Sequence, residues 1–338
     1  MRNVYGYVWG IWWWRVAENA STVRERHTLE GSLPEARSLQ AVREQGAQRA
    51  WDWGIEKRIP SFVPIDVVLK GNVSHVRASN ITLHQWQGFV PYESIVTLSD
   101  KGAVCSPEFC YLQAASTVRT IARERLESWQ YVVILIELGC ELCGLYAKQN
   151  NKRGYKKRPH SLTTASKIWK FLVRMGHEYG APMLRKAMTW VLDDLRSPME
   201  TCLYLLLCLP AHMGGAGLPA PLANPSLKVP EGLWGKTKLR HIIPDLFWPE
   251  YGLMVEYDSD EQHENRVAED QERRELAQEM GYAVITVRLR DMEDLSKLRS
   301  KMESIARRLD KSLPASTTGF FARQKRLRDM LVFHERWI

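Results

Sequence analysis

Two acidic residues stand two positions apart in a short apolar stretch in the last third of the chain. The stretch reads LMVEYDS and predicts a strand that carries Glu256 and Asp258. Side chains at i and i+2 share one face of a strand, so Leu253, Val255 and Tyr257 point to the other face, which suits a core. Unpaired carboxylates are expensive to bury. The pattern therefore predicts a cation beside the two acids, either an arginine or a metal ion.

A third carboxylate, Asp245, ends a strand predicted over 238–245. If this strand and the next one pair as a hairpin, Asp245 comes near Glu256. Two or three carboxylates at one end of a sheet provide the hard oxygen ligands that Mg²⁺ and Mn²⁺ prefer. The competing interpretation is a structural salt-bridge cluster with Arg240 or Arg273.

Two further residues are candidates for the same site. His263 lies at the predicted start of a helix, where an imidazole can accept a proton from water or contact a phosphate. A helix-capping or surface histidine explains it equally well. Glu200 opens an earlier helix and is a further candidate metal ligand, although the positive end of a helix dipole favours an acid there without any metal.

Strands and helices alternate around these candidates. The pattern predicts a helix over 197–210, strands over 238–245, 253–259 and 282–288, and helices over 264–280 and 292–309. Gly281 is placed to end the helix that precedes the third strand. This order predicts an α/β architecture. Arg273 and Arg274 fall on the helix 264–280, where they are candidates to contact phosphate.

The region 59–180 mixes strand and helix patterns and contains a strongly basic segment. The apolar run 131–146 predicts a buried helix or strand, and the segment after it contains Asn, Gly and Pro, which favour a loop. The candidate nucleic-acid contacts in this loop, within 148–158, are Lys152, Arg153, Lys156, Lys157 and Arg158. A solvated linker explains the same charges, whereas phosphate contacts would make binding strongly salt-dependent.

Four segments follow from these patterns. They are a Trp-rich and polar N-terminal segment over 1–58 without a readable function, an α+β DNA-binding or regulatory region over 59–180, an α/β domain over 181–311, and a basic tail over 312–338. The tryptophans of the first segment are most simply core residues or a partner surface.

Composition limits the classes of function. The hydrophobic fraction of 45% and the charged fraction of 25% are typical of globular proteins. The formal charge of +8 favours a polyanionic partner, nucleic acid or a membrane surface. The longest apolar runs are too short to cross a bilayer, so we expect a cytoplasmic protein with no membrane partner. The six cysteines are then expected to be reduced. We expect them to be buried as small apolar residues rather than to bind zinc.

The order of motifs in the last third resembles the PD-(D/E)XK nuclease superfamily, and within it the branch of very-short-patch-repair-type endonucleases. The resemblance covers roughly 181–310. It is carried by Pro244-Asp245, Val255-Glu256-Tyr257-Asp258-Ser259, His263, Asp270, Arg273-Arg274 and Gly281-Tyr282. It implies a restriction-endonuclease-like mixed central sheet flanked by helices, after a mixed α+β N-terminal region.

The same resemblance implies roles for individual residues. Asp245 and Glu256 would hold Mg²⁺ or Mn²⁺, with the backbone carbonyl of Tyr257 as a third ligand. This chain departs from the family pattern at Asp258, which replaces the motif lysine. His263 is then the candidate for the basic chemistry, as histidine is in the repair-endonuclease branch.

A second, looser resemblance covers 104–229. The motifs Cys105-Ser106-Pro107-Glu108, Glu137-Leu138-Gly139, Glu141-Leu142-Cys143-Gly144 and Ser197-Pro198-Met199-Glu200-Thr201 are similar to those of abortive-infection antitoxin-like bacterial proteins. This resemblance implies DNA binding and a toxin or other defence-system partner.

The sequence thus predicts a metal-dependent endonuclease that hydrolyses DNA, in repair or in defence against phage and mobile elements. Its catalytic residues are expected to be Asp245, Glu256, Asp258 and His263. The alternative is a catalytically inactive, DNA-binding transcriptional regulator of the antitoxin kind with a degenerate nuclease fold. A third interpretation assigns the Trp-rich start to a membrane surface.

Overall fold

The chain forms two units that are described here separately. The computed structural model describes residues 3–17, 29–30, 32–35, 38–44, 59–60, 63–71, 77–78, 80–98, 102–122, 126–149, 154–258 and 267–333. Unit 1 extends as far as Asp193 and unit 2 begins at Asp194. Both units combine helices with β-sheets, and both contain a mixed sheet. The boundary predicted at 180/181 lies inside unit 1.

Unit 1 contains a mixed seven-stranded sheet and a separate hairpin. The strands are β1 (Asn3–Tyr5), β2 (Leu29–Glu30), β3 (Ile65–Lys70), β4 (Arg77–Ala78), β5 (Ile81–Trp86), β6 (Ile95–Thr97) and β7 (Gly102–Cys105), with β8 (Tyr146–Lys148) and β9 (Tyr155–Lys157) forming the hairpin. The sheet order is β2-β6-β7-β1-β3-β5-β4. Because β1 is parallel to β7 and antiparallel to β3, the first described residues form a central strand.

Six helices accompany this sheet in the described residues. They are α1 (Tyr7–Val16), α2 (Leu39–Glu44), α3 (Pro107–Ala122), α4 (Ser128–Cys143), α5 (Ala165–Arg174) and α6 (Ala181–Met188). The apolar run that predicted a helix or a strand is helix α4, which ends before β8 begins. Ser106 caps α3, because the Phe109 N–H donates to its Oγ at 3.3 Å.

The tryptophans at the start of the chain are core residues. Trp9, Trp12, Trp13 and Trp14 on α1 are each at most 3% exposed. They are therefore not available to a membrane surface, and the third interpretation of the sequence is wrong for them. The close passage from β1 into α1 depends on Gly6, where a Cβ would lie 2.5 Å from the Gln113 Oε1.

A buried ion pair joins α1 to α4. Arg15 donates from Nε and Nη2 to the two carboxylate oxygens of Glu141, at 2.8 Å and 2.7 Å. Burial alone raises the pKa of Glu141, but Arg15, together with Lys148 and Arg158, outweighs it and lowers that pKa to about 2. The bidentate geometry makes this pair directional, so it ties the end of the Trp-rich helix to α4.

Unit 2 begins with a helix and then alternates between short strands and helices. Its helices are α7 (Pro198–Cys208), α8 (Val267–Glu279), α9 (Leu289–Glu293), α10 (Leu295–Arg308) and α11 (Thr318–Val332). Its strands are β10 (Leu222–Ala223), β11 (Leu227–Lys228), β12 (His241–Ile242), β13 (Leu246–Trp248), β14 (Leu253–Asp258) and β15 (Ala283–Arg288). Ser197 caps α7, since its side chain accepts from the Glu200 N–H, as the Ser-Pro start predicts.

The main sheet of unit 2 has the order β10-β13-β14-β15. β13 and β14 form an antiparallel hairpin, and β14 pairs with β15 in parallel. The parallel pair requires a crossover, which α8 supplies between β14 and β15. Gly281, at φ 86°, follows that helix, as its sequence position predicts.

The strand predicted over 238–245 is wrong in its extent. The described strand there is only β12, His241–Ile242, which pairs with β11, and the partner of β14 begins at Leu246. Pro244 separates the two strands, because proline has no N–H to donate to a ladder. The residues after Asp245 continue as β13 before a 3-10 turn over Pro249–Tyr251.

The segment predicted as a basic tail contains a helix that is part of unit 2. On α11, the side chains of Phe320, Leu327 and Leu331 are buried. The Arg328 guanidinium donates to the Glu293 carbonyl, and the Cys202 thiol on α7 donates to the Leu331 carbonyl at 3.1 Å. The side chains of Arg323, Lys325 and Arg326 are exposed on the outer face of this helix, whereas Arg328 is buried.

No helix among the described residues is long and apolar enough to span a bilayer. All six cysteines carry free thiols and are buried. Cys140 and Cys143 lie on α4, where burial raises the pKa of Cys140 to about 12. A thiol with so high a pKa is a poor metal ligand, because the thiolate is the binding form.

We expect Gly214→Ala to destabilise unit 2 by weakening the packing of α11 against Gly214. At Gly214, with φ 93°, a Cβ would lie 2.5 Å from the Arg323 carbonyl oxygen. Gly217→Ala is the matched control, because Gly217 also has a positive φ, 71°, but has nothing within 4 Å of the added methyl. The control should cost about 1 kcal/mol of unfolding free energy, and Gly214→Ala about 1–3 kcal/mol more.

Urea unfolding of both variants measures the difference. Equal midpoints for the two alanine variants would show that α11 does not press on Gly214.

Candidate functional site

The hairpin of unit 2 brings Asp245 and Glu256 to the same place. Leu246 pairs with Val255 across the antiparallel ladder, so the residue before Leu246 lies opposite the residue after Val255. Cross-strand partners share a face of the sheet. The Tyr257 N–H donates to the Asp245 Oδ2 at 2.7 Å, which fixes the orientation of that carboxyl group.

Asp245 is partly buried and lies in a field of negative charge. Burial raises its pKa well above the usual value for aspartate, and the charges of Glu200 and Glu256 raise it further. The hydrogen bond from the Tyr257 N–H and the charge of Arg273 act in the opposite direction but are outweighed. Without an added cation, the folded protein therefore favours the protonated form of this carboxyl group.

Glu200 is the third acid of this cluster. It is buried at the start of α7, and its Oε2 accepts from the Arg196 N–H at 2.8 Å and from the Asn224 Nδ2 at 2.9 Å. Burial raises the pKa of Glu200 despite these hydrogen bonds. Glu200 lies in the first turn of α7, where the helix dipole favours an acid, and its charge also acts on Asp245.

Asn224 is a site residue that the sequence analysis missed. Its side-chain amide donates to Glu200 and to the Asp194 carbonyl, and its backbone N–H donates to the Asp245 carbonyl at 3.0 Å. Its φ of 49° is left-handed, a conformation that asparagine tolerates better than most residues. An Asn in a Gly- and Pro-rich segment is a weak signal for this position, since such segments usually contain turn asparagines.

Helix α8 covers the face of β14 that carries the acids. Met254 lies on this face and packs in a cluster with Phe247 and with Leu276 and Ala277 of α8. The acidic face of β14 is therefore apolar at Met254, where α8 packs on it. One helical turn before this cluster, the Arg273 Nη2 lies 3.3 Å from the Glu256 Oε2.

Asp258 lies between two arginines. It is buried, and its Oδ2 lies 3.2 Å from the Arg288 Nε on β15 and 3.7 Å from the Arg274 Nη2 on α8. Its Oδ1 is buried without a hydrogen-bond partner in the part of the chain that the structure describes. Arg288 faces Asp258 in the parallel register, a contact that strand spacing within one strand cannot reveal.

The predicted nucleic-acid residues have different surroundings in the structure. Arg273 and Arg274 are already paired with carboxylates, and Lys156 and Lys157 are exposed on β9. Arg158, predicted as a nucleic-acid contact, instead makes hydrogen bonds inside unit 1. Its guanidinium donates to the Glu141 carbonyl at 3.3 Å and to the Trp14 carbonyl at 3.2 Å. His263, Lys152 and Arg153 lie outside the described residues.

The carboxylate oxygens of Asp245 and Glu256 suit a hard cation, but they provide few protein ligands for it. The described residues include no group of three or more His, Cys, Asp or Glu side chains placed to hold one metal ion. Mg²⁺, however, keeps several waters and is usually bound through one or two carboxylates together with substrate phosphates. Asp245 and Glu256 fit that smaller requirement, and the Tyr257 carbonyl stays a predicted third ligand.

We expect Asp245→Asn to stabilise the protein when divalent cations are removed with a chelator. The raised pKa means that folding favours the protonated carboxyl, so the wild type loses stability as pH rises from about 4, the unfolded value, through the folded pKa. Asparagine can still accept from the Tyr257 N–H and does not ionise. The gain in unfolding free energy should vanish below about pH 4 and grow above it.

Urea unfolding across this pH range tests the effect, with Glu250→Gln on the exposed turn of the same hairpin as the control. If the unfolding free energies of wild type and Asp245→Asn changed with pH in parallel, the raised pKa of Asp245 would be contradicted.

We expect Asn224→Gly to lower the unfolding free energy by about 1–3 kcal/mol, because the Glu200 carboxylate loses a donor while the backbone conformation is retained. Asp310→Gly is the matched control, since Asp310 is also left-handed at φ 51° but is exposed. Urea midpoints that shift equally in the two variants would show that the amide does not support Glu200.

The chain matches no protein-family model, no curated protein and no solved structure.

Proposed function

We propose that unit 2 is a restriction-endonuclease-like domain that hydrolyses phosphodiester bonds of DNA with Mg²⁺ or Mn²⁺. The observation that carries the proposal is the pairing of Asp245 with Glu256 across the β13–β14 hairpin, next to Glu200. The element order supports it: a helix, an antiparallel three-strand arrangement, a crossover helix and a parallel strand. This order agrees with the mixed sheet that the sequence resemblance implies.

A dication explains the acids better than the arginines nearby do. Arg273 contacts Glu256, whereas Asp245 is held between two other acids, and the charge of Arg273 does not offset them. Asp245 is not fully buried, which leaves a route for an ion. Positive charge placed between Asp245 and Glu256 removes their repulsion and lets both ionise.

The residues of the chain divide the work. Asp245 and Glu256 would hold the ion, and Asn224 keeps Glu200 beside them. Asp258, fixed by Arg274 and Arg288, is a positioning residue for the end of β14 rather than a group that moves a proton. The ion itself would polarise the phosphodiester and lower the pKa of an attacking water. His263 stays the candidate base.

A second function has its own support. Both acids of β14 have an arginine partner, Arg273 for Glu256 and Arg288 for Asp258. An arginine-neutralised site suits a metal-free DNA-binding protein, such as the antitoxin-like regulator that the second resemblance implies. The two functions differ in whether Asp245 is needed.

We expect wild-type protein to nick or cut supercoiled plasmid in the presence of Mg²⁺ or Mn²⁺. Asp245→Asn and Glu256→Gln should each lower the rate by about 100-fold or more, equivalent to about 2.7 kcal/mol of barrier. Both variants should also lose the heat of Mn²⁺ binding in calorimetry. Glu250→Gln, an exposed acid on the turn of the same hairpin, should match the wild type.

Two results would overturn the nuclease proposal. One is equal cleavage by wild type and Asp245→Asn. The other is no cleavage and no metal binding by folded wild type. DNA binding that is unchanged in Asp245→Asn, in protein without cleavage activity, would favour the regulator.

A further inference from the structure

Helix α5 of unit 1 carries an outer face that combines cations with exposed apolar side chains. Its sequence is ASKIWKFLVR, in which Ile168, Phe171 and Leu172 are buried. The remaining face contains no acid. Thr164 caps the helix by accepting from the Lys167 N–H at 3.2 Å, so the helix begins well ordered directly before this face.

The cations of α5 form one stripe. Lys167, Lys170 and Arg174 are spaced by three and four residues, which places them along one flank of the helix. All three are exposed, and none of them makes an ion pair within the part of the chain that the structure describes. Like charges at this spacing repel one another, so the stripe lowers the stability of the helix.

The other flank of the outward face is apolar. Trp169 and Val173 are spaced by four residues and are 46% and 63% exposed. Lys170 and Val173 are neighbours at i and i+3, so the two stripes adjoin. A tryptophan this exposed beside lysine keeps an open ring face, which attracts both bases and cations.

More exposed aromatic rings lie close to α5. The buried Trp86 ring contacts the Phe109 ring, which in turn contacts the Phe171 ring, so Phe109 links the end of β5 to α5. Gly88, in the loop after β5, lies directly against the Glu178 carboxylate that follows α5. The exposed aromatic residues of these two loops are Phe89, Tyr92 and Tyr179, at 63%, 66% and 58%.

We propose that this surface, the outer face of α5 with Phe89, Tyr92 and Tyr179, binds single-stranded nucleic acid. Separate exposed rings let successive unpaired bases stack, and a neighbouring stripe of cations follows the phosphates. Base pairs in a duplex are stacked on each other, so a duplex cannot use the rings in this way. The proposal goes beyond the hydrolysis assigned to unit 2 and does not depend on Asp245 or Glu256.

Charge distinguishes this occupant from a second copy of the chain. Two copies docked through α5 would place the stripes of lysine and arginine on each other's surfaces, with no acid on either helix to pair with them. A polyanion instead releases condensed counterions when it meets such a stripe. Acids near this surface include Glu93, which is exposed, Glu178, which faces Gly88, and Asp193, whose Oδ1 accepts from the Ala165 N–H at 2.8 Å.

The test uses the full chain and a fluorescent oligothymidylate of about 20 nucleotides, with chelator present so that cleavage does not interfere. An oligouridylate of equal length tests whether the surface prefers RNA or DNA. A duplex of equal length tests whether binding requires unpaired bases. Fluorescence anisotropy is measured from about 50 to 200 mM salt. Circular dichroism confirms that each variant is folded.

Trp169→Ala should weaken binding of the single strand by about 5- to 150-fold and change binding of the duplex little. Neutralising Lys167, Lys170 and Arg174 to Gln should lower the salt slope by about 2, at roughly 0.7 per phosphate contact. The matched control neutralises three exposed cations of unit 2, Lys297, Arg308 and Lys311, and so changes net charge equally.

The expected result is loss of single-strand affinity in the α5 variants alone. The proposal is overturned if the control and α5 variants lose affinity equally, if folded wild type binds neither single strand, or if duplex binds as tightly and is equally sensitive to Trp169→Ala. Self-association of the wild type that Trp169→Ala abolishes, without oligonucleotide binding, would also overturn it. Plasmid cleavage by the α5 variants reports on unit 2 separately.

Discussion

Unit 2 is organised around the electrostatic cost of placing Asp245 between Glu200 and Glu256. Each acid reaches this position by a different device: Glu200 lies in the first turn of α7, Asp245 follows a proline that ends strand pairing, and Glu256 lies on the central strand β14. The Tyr257 N–H and the Asn224 amide hold the carboxyl groups in place. Because hydrogen bonds orient these groups without cancelling their charge, the raised pKa of Asp245 is built into the fold. Bound positive charge would relieve it, which is the physical basis for a metal site.

The arginines around β14 show how the same sheet manages its other acids. Asp258 is buried, and Arg274 and Arg288 approach it from a helix and from the neighbouring strand. A buried carboxylate of this kind requires partners, because an uncompensated charge away from water is strongly destabilising. Asp245 differs because the charge of Arg273 does not offset the charges of Glu200 and Glu256. The sequence spacing alone does not distinguish these two surroundings.

Unit 1 uses aromatic residues in two opposite ways. The tryptophans of α1 are buried, and the Arg15–Glu141 pair links that helix to α4. On α5, Trp169 is exposed beside cations that make no ion pair with any residue the structure describes. Clusters of tryptophan in the sequence therefore did not locate the surface aromatics, because burial depends on which neighbours a helix packs against. The same applies to Arg158, which belongs to a basic run but donates to buried carbonyls.

The hairpin that brings Asp245 to Glu256 was only a condition of the sequence prediction, and its first strand is Leu246–Trp248 rather than 238–245. The amino-acid pattern by itself determined the α/β class, the helix that begins after Ser197 and the glycine after α8. These are local features, set by capping, turn conformation and strand periodicity. Tertiary structure decided the rest: that α8 covers the acidic face of β14, that Asn224 supports Glu200, that Arg288 faces Asp258, and that α11 packs into unit 2. Each of these contacts joins residues far apart in the chain, and their pairing depends on sheet order and helix packing, which no short-range period encodes.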